Sequence, residues 1–370
     1  MRFNVYIYIM AFTLILGWLM PQQGRDRKYY IIFMTVLLAF VGAFRYNHLT
    51  GDLMKYHYEF NTVAQYGWFS NQVFHEGRNF LFYFMMKSIN HLTDGNFQMV
   101  LIVISVVIHI ALAVVVYRYS PKPWMSYLVW SSLGFYVFGF NAIKQAFAMA
   151  FLMMSLIGIF ERRVKFYLAM VFLAGFIHVP ALIFLPAYWL ADQKVSFRIL
   201  IAYAGLGVLM FLFRRQVVDF ITQFYYEEHD DFIDSGGVGT RVLMIVLIAM
   251  CGVLLKGFRE RNFQALFHFM CISAVLQLLA SFDNIFSRLT DYYFQTSVIF
   301  IPMIFCSQIS NTRTKGISAV FRFDQQSTRV FVAFVCAVLL YYYWVYTLNS
   351  GELTYTVDDY LNFRFMWDVP

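Results

Sequence analysis

Long runs of Leu, Ile, Val, Phe and Met separated by short polar clusters set the pattern of this chain. Val100 to Val116, Tyr167 to Trp189 and Val330 to Tyr346 carry no charged residue. Each approaches or exceeds the roughly 20 helical residues that cross a hydrocarbon core of about 30 Å. Barrel strands would instead alternate with a period of two, which these unbroken runs contradict. The candidate spans are 3–20, 29–44, 97–117, 124–140, 142–160, 166–190, 198–213, 241–256, 264–282, 290–309 and 330–347. The predicted fold is therefore all-α: a polytopic integral membrane protein of roughly 11 to 12 transmembrane or re-entrant helices, with no soluble domain.

Two segments depart from simple spans. Segment 80–92 is aromatic and apolar at first, but Lys87, Ser88, Asn90 and His91 crowd its second half, so it is expected to lie in the interface or re-enter. Run 166–190 is interrupted by Gly175, His178 and Pro180, with Pro186 following, and is expected to enter and leave on one side as two half-helices. Broken helices at membrane depth line polar cavities.

Charge then orients the spans, because short loops rich in Lys and Arg stay cytoplasmic. Six such loops carry Arg25, Arg27 and Lys28; Arg118 and Lys122; Arg162, Arg163 and Lys165; Lys194 and Arg198; Lys256, Arg259 and Arg261; and Arg313, Lys315, Arg322 and Arg329. Placing them inside makes 1–347 one multi-helix domain with outer loops at about 45–96 and 214–240 and an outer tail at 348–370. The second outer loop joins an aromatic run, Phe220 to Tyr226, to Glu227, Glu228, Asp230, Asp231 and Asp234 ahead of Gly236-Gly237. It reads equally as a lid or as a solvated loop. Arg2 before Phe3 to Met20 resembles a signal peptide, but no small-residue cleavage site follows, so a retained first helix is expected.

Composition closes off the soluble classes: the chain is 61% hydrophobic and 13% charged with a mean hydropathy of +0.61, against about a quarter charged in soluble domains. The net charge of +7 sits in the inter-span clusters, so it is read as a topology signal, and nucleic acid is excluded as a partner. Cys251, Cys271, Cys306 and Cys336 lie in apolar segments without CxxC spacing and are read as helix filler. Walker, dinucleotide, HExxH and GxSxG motifs are absent, so neither a nucleotide nor a metal ligand set is expected.

Charged side chains at membrane depth are costly, which makes each a functional candidate. Five groups qualify. Arg45 precedes Thr50-Gly51-Asp52 and Tyr56; arginine suits a phosphate, and an aspartate after a glycine turn suits a base. Glu76-Gly77-Arg78 precedes segment 80–92. Lys144-Gln145 interrupts a pair of apolar runs. His178 marks the break in 166–190. Arg241 and Arg288, with Tyr292, stand at the ends of two further spans, where their planar forks suit phosphate oxygens.

In order and placement these groups resemble the EpsG family of exopolysaccharide, capsule and O-antigen systems, related to Wzy-type repeat-unit polymerases. The likeness covers about residues 1–345 and rests on Arg45 with Thr50-Gly51-Asp52 and Tyr56, Glu76-Gly77, Lys144-Gln145 with Ala148, His178 with Ala181-Leu182, Gly239 with Arg241, and Arg288 with Tyr292. Lys144 departs from the pattern, which has arginine before the glutamine, and so loses the bidentate fork. The resemblance implies an inner-membrane glycosyltransferase that joins oligosaccharide units carried on undecaprenyl pyrophosphate at the periplasmic or outer face, without a cofactor. Expected partners are that lipid-linked oligosaccharide, membrane lipid and a chain-length regulator protein. Arg45, Tyr56, Lys144, Gln145, Arg241, Arg288 and Tyr292 are expected to bind substrate. Asp52 or His178, with Glu76 third, is expected to take the proton of the attacking hydroxyl. An O-antigen-ligase-like or polyprenyl-phosphate-sugar transferase, a lipid-linked oligosaccharide flippase and a structural scaffold are the alternatives.

Overall fold

The computed structural model describes residues 5–20, 23–45, 52–74, 78–225, 239–255, 260–281, 286–305 and 365–367. Glu76, the Thr50-Gly51 turn, the acidic stretch 227–234, span 330–347, Cys306, Cys336 and most of the tail lie outside the described residues.

Within them the chain is helical, and pairing of the strand type is confined to one isolated bridge, Arg45 with Phe365. The helices run α1 (Val5–Leu19), α2 (Gly24–Ala43), α3 (Asp52–Ala64), α4 (Asn71–Phe74), α5 (Phe80–Leu92), α6 (Gln98–Tyr119), α7 (Pro123–Ser132), α8 (Phe135–Asn141) and α9 (Ile143–Phe160). They continue as α10 (Val164–Ile177), α11 (Ala187–Leu190), α12 (Phe197–Leu212), α13 (Arg214–Tyr225), α14 (Thr240–Leu255), α15 (Arg261–Gln277), α16 (Ser287–Phe294) and α17 (Ser297–Phe305).

Among the described residues, α6, α9 and α15 with its 3-10 extension to Ser281 are long and apolar enough to cross a membrane; α12 and α13 meet that test only as a pair bent by 79°. This is a membrane protein, and its outer surface shows it. On α2, Tyr30, Met34 and Leu38 are buried while Ile32, Phe33, Val36 and Phe40 are exposed, so apolar side chains cover both faces. A helix that is apolar all round needs a second apolar phase, which lipid provides.

Several predicted spans are interrupted. Run 124–140 divides at Gly134, whose φ of 84° lies in the left-handed region that glycine enters without steric cost, giving α7 and α8. Run 290–309 divides after Phe294 into α16 and α17. Run 166–190 breaks where it was expected to. α10 stops at Ile177, His178 is extended at φ −152°, and Val179–Phe184 continues as a 3-10 turn. Gly175 is not the break: it lies within α10, and a Cβ there would meet Leu182 Cδ2 at 2.4 Å, so its role is to let the returning chain pack against the helix. Segment 80–92 is the 13-residue α5, about 20 Å long at 1.5 Å per residue and so short of the hydrocarbon thickness.

The central helices have two chemically distinct ends. At one, Arg27 of α2 donates to the carbonyls of Tyr117 and Ser120, both at 2.8 Å, at the end of α6, where a cation meets the negative pole of the helix. There Arg118 pairs with Glu161 at 2.6 Å, and Asp192 accepts from Arg162 and, at 2.9 Å, from Arg261. Basic residues from four of the predicted cytoplasmic loops thus gather at one end. Arg45, Lys144 and His178 lie at the opposite ends of α2, α9 and α10.

Candidate functional site

The site is assembled from helix ends. α3 begins at Asp52, α9 begins with Ile143, Lys144 and Gln145, α10 ends before His178, and α16 carries Arg288, Asp291 and Tyr292 within one turn. Helical spacing of three and four puts those α16 side chains on one face.

Arg288 Nη2 donates to Asp52 Oδ2 at 3.1 Å, and the backbone carbonyl of Arg288 accepts from Gln145 Nε2 at 2.7 Å, so α3, α9 and α16 meet at one residue. Arg241, second residue of α14, pairs with Asp291 and lies with its guanidinium carbon 5.3 Å from the centre of the Phe294 ring. Asp291 is in turn within electrostatic reach of Arg288. The His178 ring centre lies 6.4 Å from that of Tyr292, and Lys144 and Arg288 both act on His178 electrostatically.

Lys144 sits in an aromatic cage, its Nζ 5.6 Å from the ring centres of Tyr56 and Tyr83 and 6.0 Å from that of Phe82. It is buried, as is Gln145. Ring quadrupoles partly replace the hydration that an ammonium loses at such a site. The three cations differ in access. The Arg288 side chain is 39% exposed against 11% for Arg241, so Arg288 is the one a ligand reaches first. Gln145 Oε1 is buried without a hydrogen-bond partner among the described residues, an acceptor suited to a hydroxyl-bearing ligand.

Eight sequence-named residues therefore converge: Asp52, Tyr56, Lys144, Gln145, His178, Arg241, Arg288 and Tyr292. Arg45 belongs to a different network. Its guanidinium donates to the carbonyls of Gly42 and Phe140 and stacks over the Phe140 ring, while Gln98 Nε2 donates to the carbonyls of Ala43 and Arg45. Glu76 lies outside the described residues. Three contributors were not singled out from sequence: Asp291, Tyr83 and Asn79. Asp291 stands three residues after Arg288, a spacing that signals a shared helix face. Asn79 accepts the Val179 N–H at 2.9 Å and so holds the break beside His178. No comparable pattern marks Tyr83 among so many aromatics.

Lys87, which crowds α5 in the sequence, has a structural task. Its ammonium donates to the carbonyls of Val63, Ala64 and Tyr66 at 3.0, 3.3 and 2.6 Å, closing the C-terminus of α3. Of the cysteines, Cys251 and Cys271 are free thiols within α14 and α15.

Comparison with known proteins matches the chain to the model of the EpsG family over residues 28–362. Searches of the curated proteins and of the solved structures gave no match.

Proposed function

The chain belongs to the EpsG family, and from that premise we propose that it polymerises oligosaccharide repeat units carried on undecaprenyl pyrophosphate into O-antigen, capsule or exopolysaccharide. In this reading the protein is a multi-pass protein of the bacterial inner membrane with 11 to 12 membrane segments in all, roughly as many as its apolar runs require. The end bearing the basic loops faces the cytoplasm. The charged cluster then faces the periplasm or exterior.

The observation that carries the proposal is the convergence of three cations, Lys144, Arg241 and Arg288, with the Asp52 carboxylate at the ends of helices from distant parts of the chain. A terminal hydroxyl of one lipid-linked unit attacks the anomeric carbon of another. The new C–O bond forms as the bond to the pyrophosphate oxygen breaks, and undecaprenyl pyrophosphate leaves with the electron pair. Since this leaving group is already weakly basic, catalysis consists mainly of placing the reactants and stabilising the charge that develops.

Arg288, the most accessible cation, meets the pyrophosphate first, supported by Arg241 and Lys144. Its fork can hold two oxygens at once. An anion that engages Arg288 competes with Asp52 for that guanidinium and so frees a carboxylate oxygen to accept from the incoming hydroxyl. Asp52 takes the proton in this scheme, with His178 as the second base. Gln145 and Tyr292 position the sugar, and Arg45 ties the end of α2 to that of α8.

Surface-glycan length tests the proposal. A deletion strain is complemented at matched expression with wild type or with Arg288→Ala, and the glycan is resolved on a gel. Single repeat units in the deletion strain, with no ladder restored by Arg288→Ala, are the expected result. Complete loss of surface glycan in the deletion strain, with lipid-linked units retained on the cytoplasmic side, overturns it in favour of a flippase.

A further inference from the structure

Outside the charged cluster, a groove of about 730 Å³ runs between α12, α14 and α15, a volume within the range of small-molecule sites. Ala204, Gly207 and Phe211 form one wall, with Val246, Met270 and Ala274 opposite. The lining is apolar almost throughout. Of its two polar side chains, Tyr203 has its hydroxyl bonded to His268 Nδ1 at 2.8 Å, and Cys271 is the other. Small residues create the space: a Cβ added at Gly207 would already touch Leu278 Cδ1 at 3.4 Å.

The groove follows α12 from Leu200 to Leu212, about 18 Å at 1.5 Å per residue. Apolar side chains line it along that length, as a hydrocarbon chain requires. One end is formed by Leu212, Val242 and Leu278. Val242 follows Arg241 directly, so this end adjoins the Arg241–Asp291 pair of the charged cluster. Arg214, donating to the Phe211 carbonyl at 3.1 Å, lies at the same end. An apolar channel that opens beside cations matches a molecule with an anionic head and a hydrocarbon tail.

We propose that the groove holds the tail of a phosphate-headed polyprenyl lipid whose head lies at Arg241 and Arg288. The assignment rests on the reading of the charged cluster as a pyrophosphate site. It adds where the lipid lies and which helices select it. Ordinary phospholipid acyl chains are the rival occupant.

The test uses the full chain in detergent micelles, with retention of undecaprenyl phosphate and of phosphatidylglycerol read separately by native mass spectrometry. Gly207→Leu and Ala274→Leu narrow the groove without adding charge, and thermal melting checks that each folds; if one does not, Val246→Phe replaces it. Retention of undecaprenyl phosphate is expected to fall about tenfold in the folded variants, and also in Arg241→Gln, with phosphatidylglycerol retention little changed. Unchanged undecaprenyl phosphate retention overturns the assignment, and so does equal loss of both lipids. Binding is read without product formation, so the two proposals fail separately. Groove-dependent binding in a protein whose deletion leaves glycan length unaltered would remove the polymerase reading and leave the groove occupied.

Discussion

Arg288 and Asp52 lie 236 positions apart in sequence and meet at 3.1 Å where the end of a broken membrane run faces the start of α3. Their side chains are 39% and 29% exposed. An ion pair with that much solvent contributes at most about 1 kcal/mol to folding. Substitution at either residue is therefore expected to leave expression and melting nearly unchanged, which makes their glycan phenotypes readable as chemistry. Arg288→Lys keeps the charge but not the fork and should give a short ladder. Asp52→Asn removes the base and should abolish it. The exchange Asp52→Arg with Arg288→Asp restores the pair but puts the guanidinium on the wrong helix. A full ladder from the exchanged protein would remove Arg288 from the proposed site.

Lys144 separates charge from shape. It carries its cation into a cage of Tyr56, Phe82 and Tyr83, an interaction worth up to about 2 kcal/mol in a desolvated setting. Lys144→Met fills much of the same volume without charge. It should melt close to wild type yet lose most long chains. Lys144→Arg keeps the cation and adds a bidentate fork, and should support a ladder. If Met and Arg give the same ladder, the charge at this position has no part in the reaction.

Much of this architecture was legible in the chain. α6 follows an uninterrupted apolar run and α9 one that is apolar after Lys144-Gln145, and the break at His178 was signalled by the proline two residues on. The division at Gly134 was not, because a glycine in an apolar run reads the same whether it packs a helix or adopts a positive φ. Arg45 shows a similar limit. A cation at a helix end has one sequence signature whatever it meets, and the contacts of Arg45 with the carbonyls of Gly42 and Phe140 come from the fold. The site residues were recognisable one by one, but their pairings come from chain segments that sequence order does not bring together. Asp291 was passed over because an aspartate after Arg288 looks like part of a polar turn until Arg241 is seen to pair with it.

At the opposite end of the bundle, Asp192 provides a pH test. Its carboxyl is held below the ordinary range, first by the hydrogen bond from Arg162 and then by Arg261. Lowered in the fold, it contributes stability that is fully present above the unfolded carboxylate pKa of about 3.9 and is lost as pH falls through the folded value. Melting temperature should therefore be flat with respect to this group near neutrality and fall below about pH 4. Asp192→Asn should lower melting modestly at pH 7 and flatten the acid limb, without shortening the glycan. An unaltered acid limb in that variant would place the acid sensitivity elsewhere, with Glu161 next to be tested, since the Tyr119 hydroxyl and Arg163 and Arg118 lower its pKa in the same way.

Asn79 offers the sharpest test of whether the helix break positions His178. Ending α10 at Ile177 leaves the Val179 N–H outside the helical ladder, and Asn79 Oδ1, 100 residues earlier, accepts it at 2.9 Å. Asn79 does so from the left-handed conformation, φ 53°, directly ahead of α5, whose first turn supplies Phe82 and Tyr83 to the Lys144 cage. One residue thus fixes both His178 and the cage. Loss of the acceptor leaves a donor unsatisfied at a cost of about 1–3 kcal/mol. Asn79→Asp keeps the acceptor and tolerates the backbone, Asn79→Gly keeps only the backbone, and Asn79→Ala keeps neither. Melting should fall in the order Asp, Gly, Ala. Glycan length should instead follow the acceptor alone, with Asp restoring the ladder and both Gly and Ala failing to. If Asn79→Gly polymerises normally despite its lower melting temperature, the hydrogen bond serves folding only, and His178 is positioned by something other than Asn79.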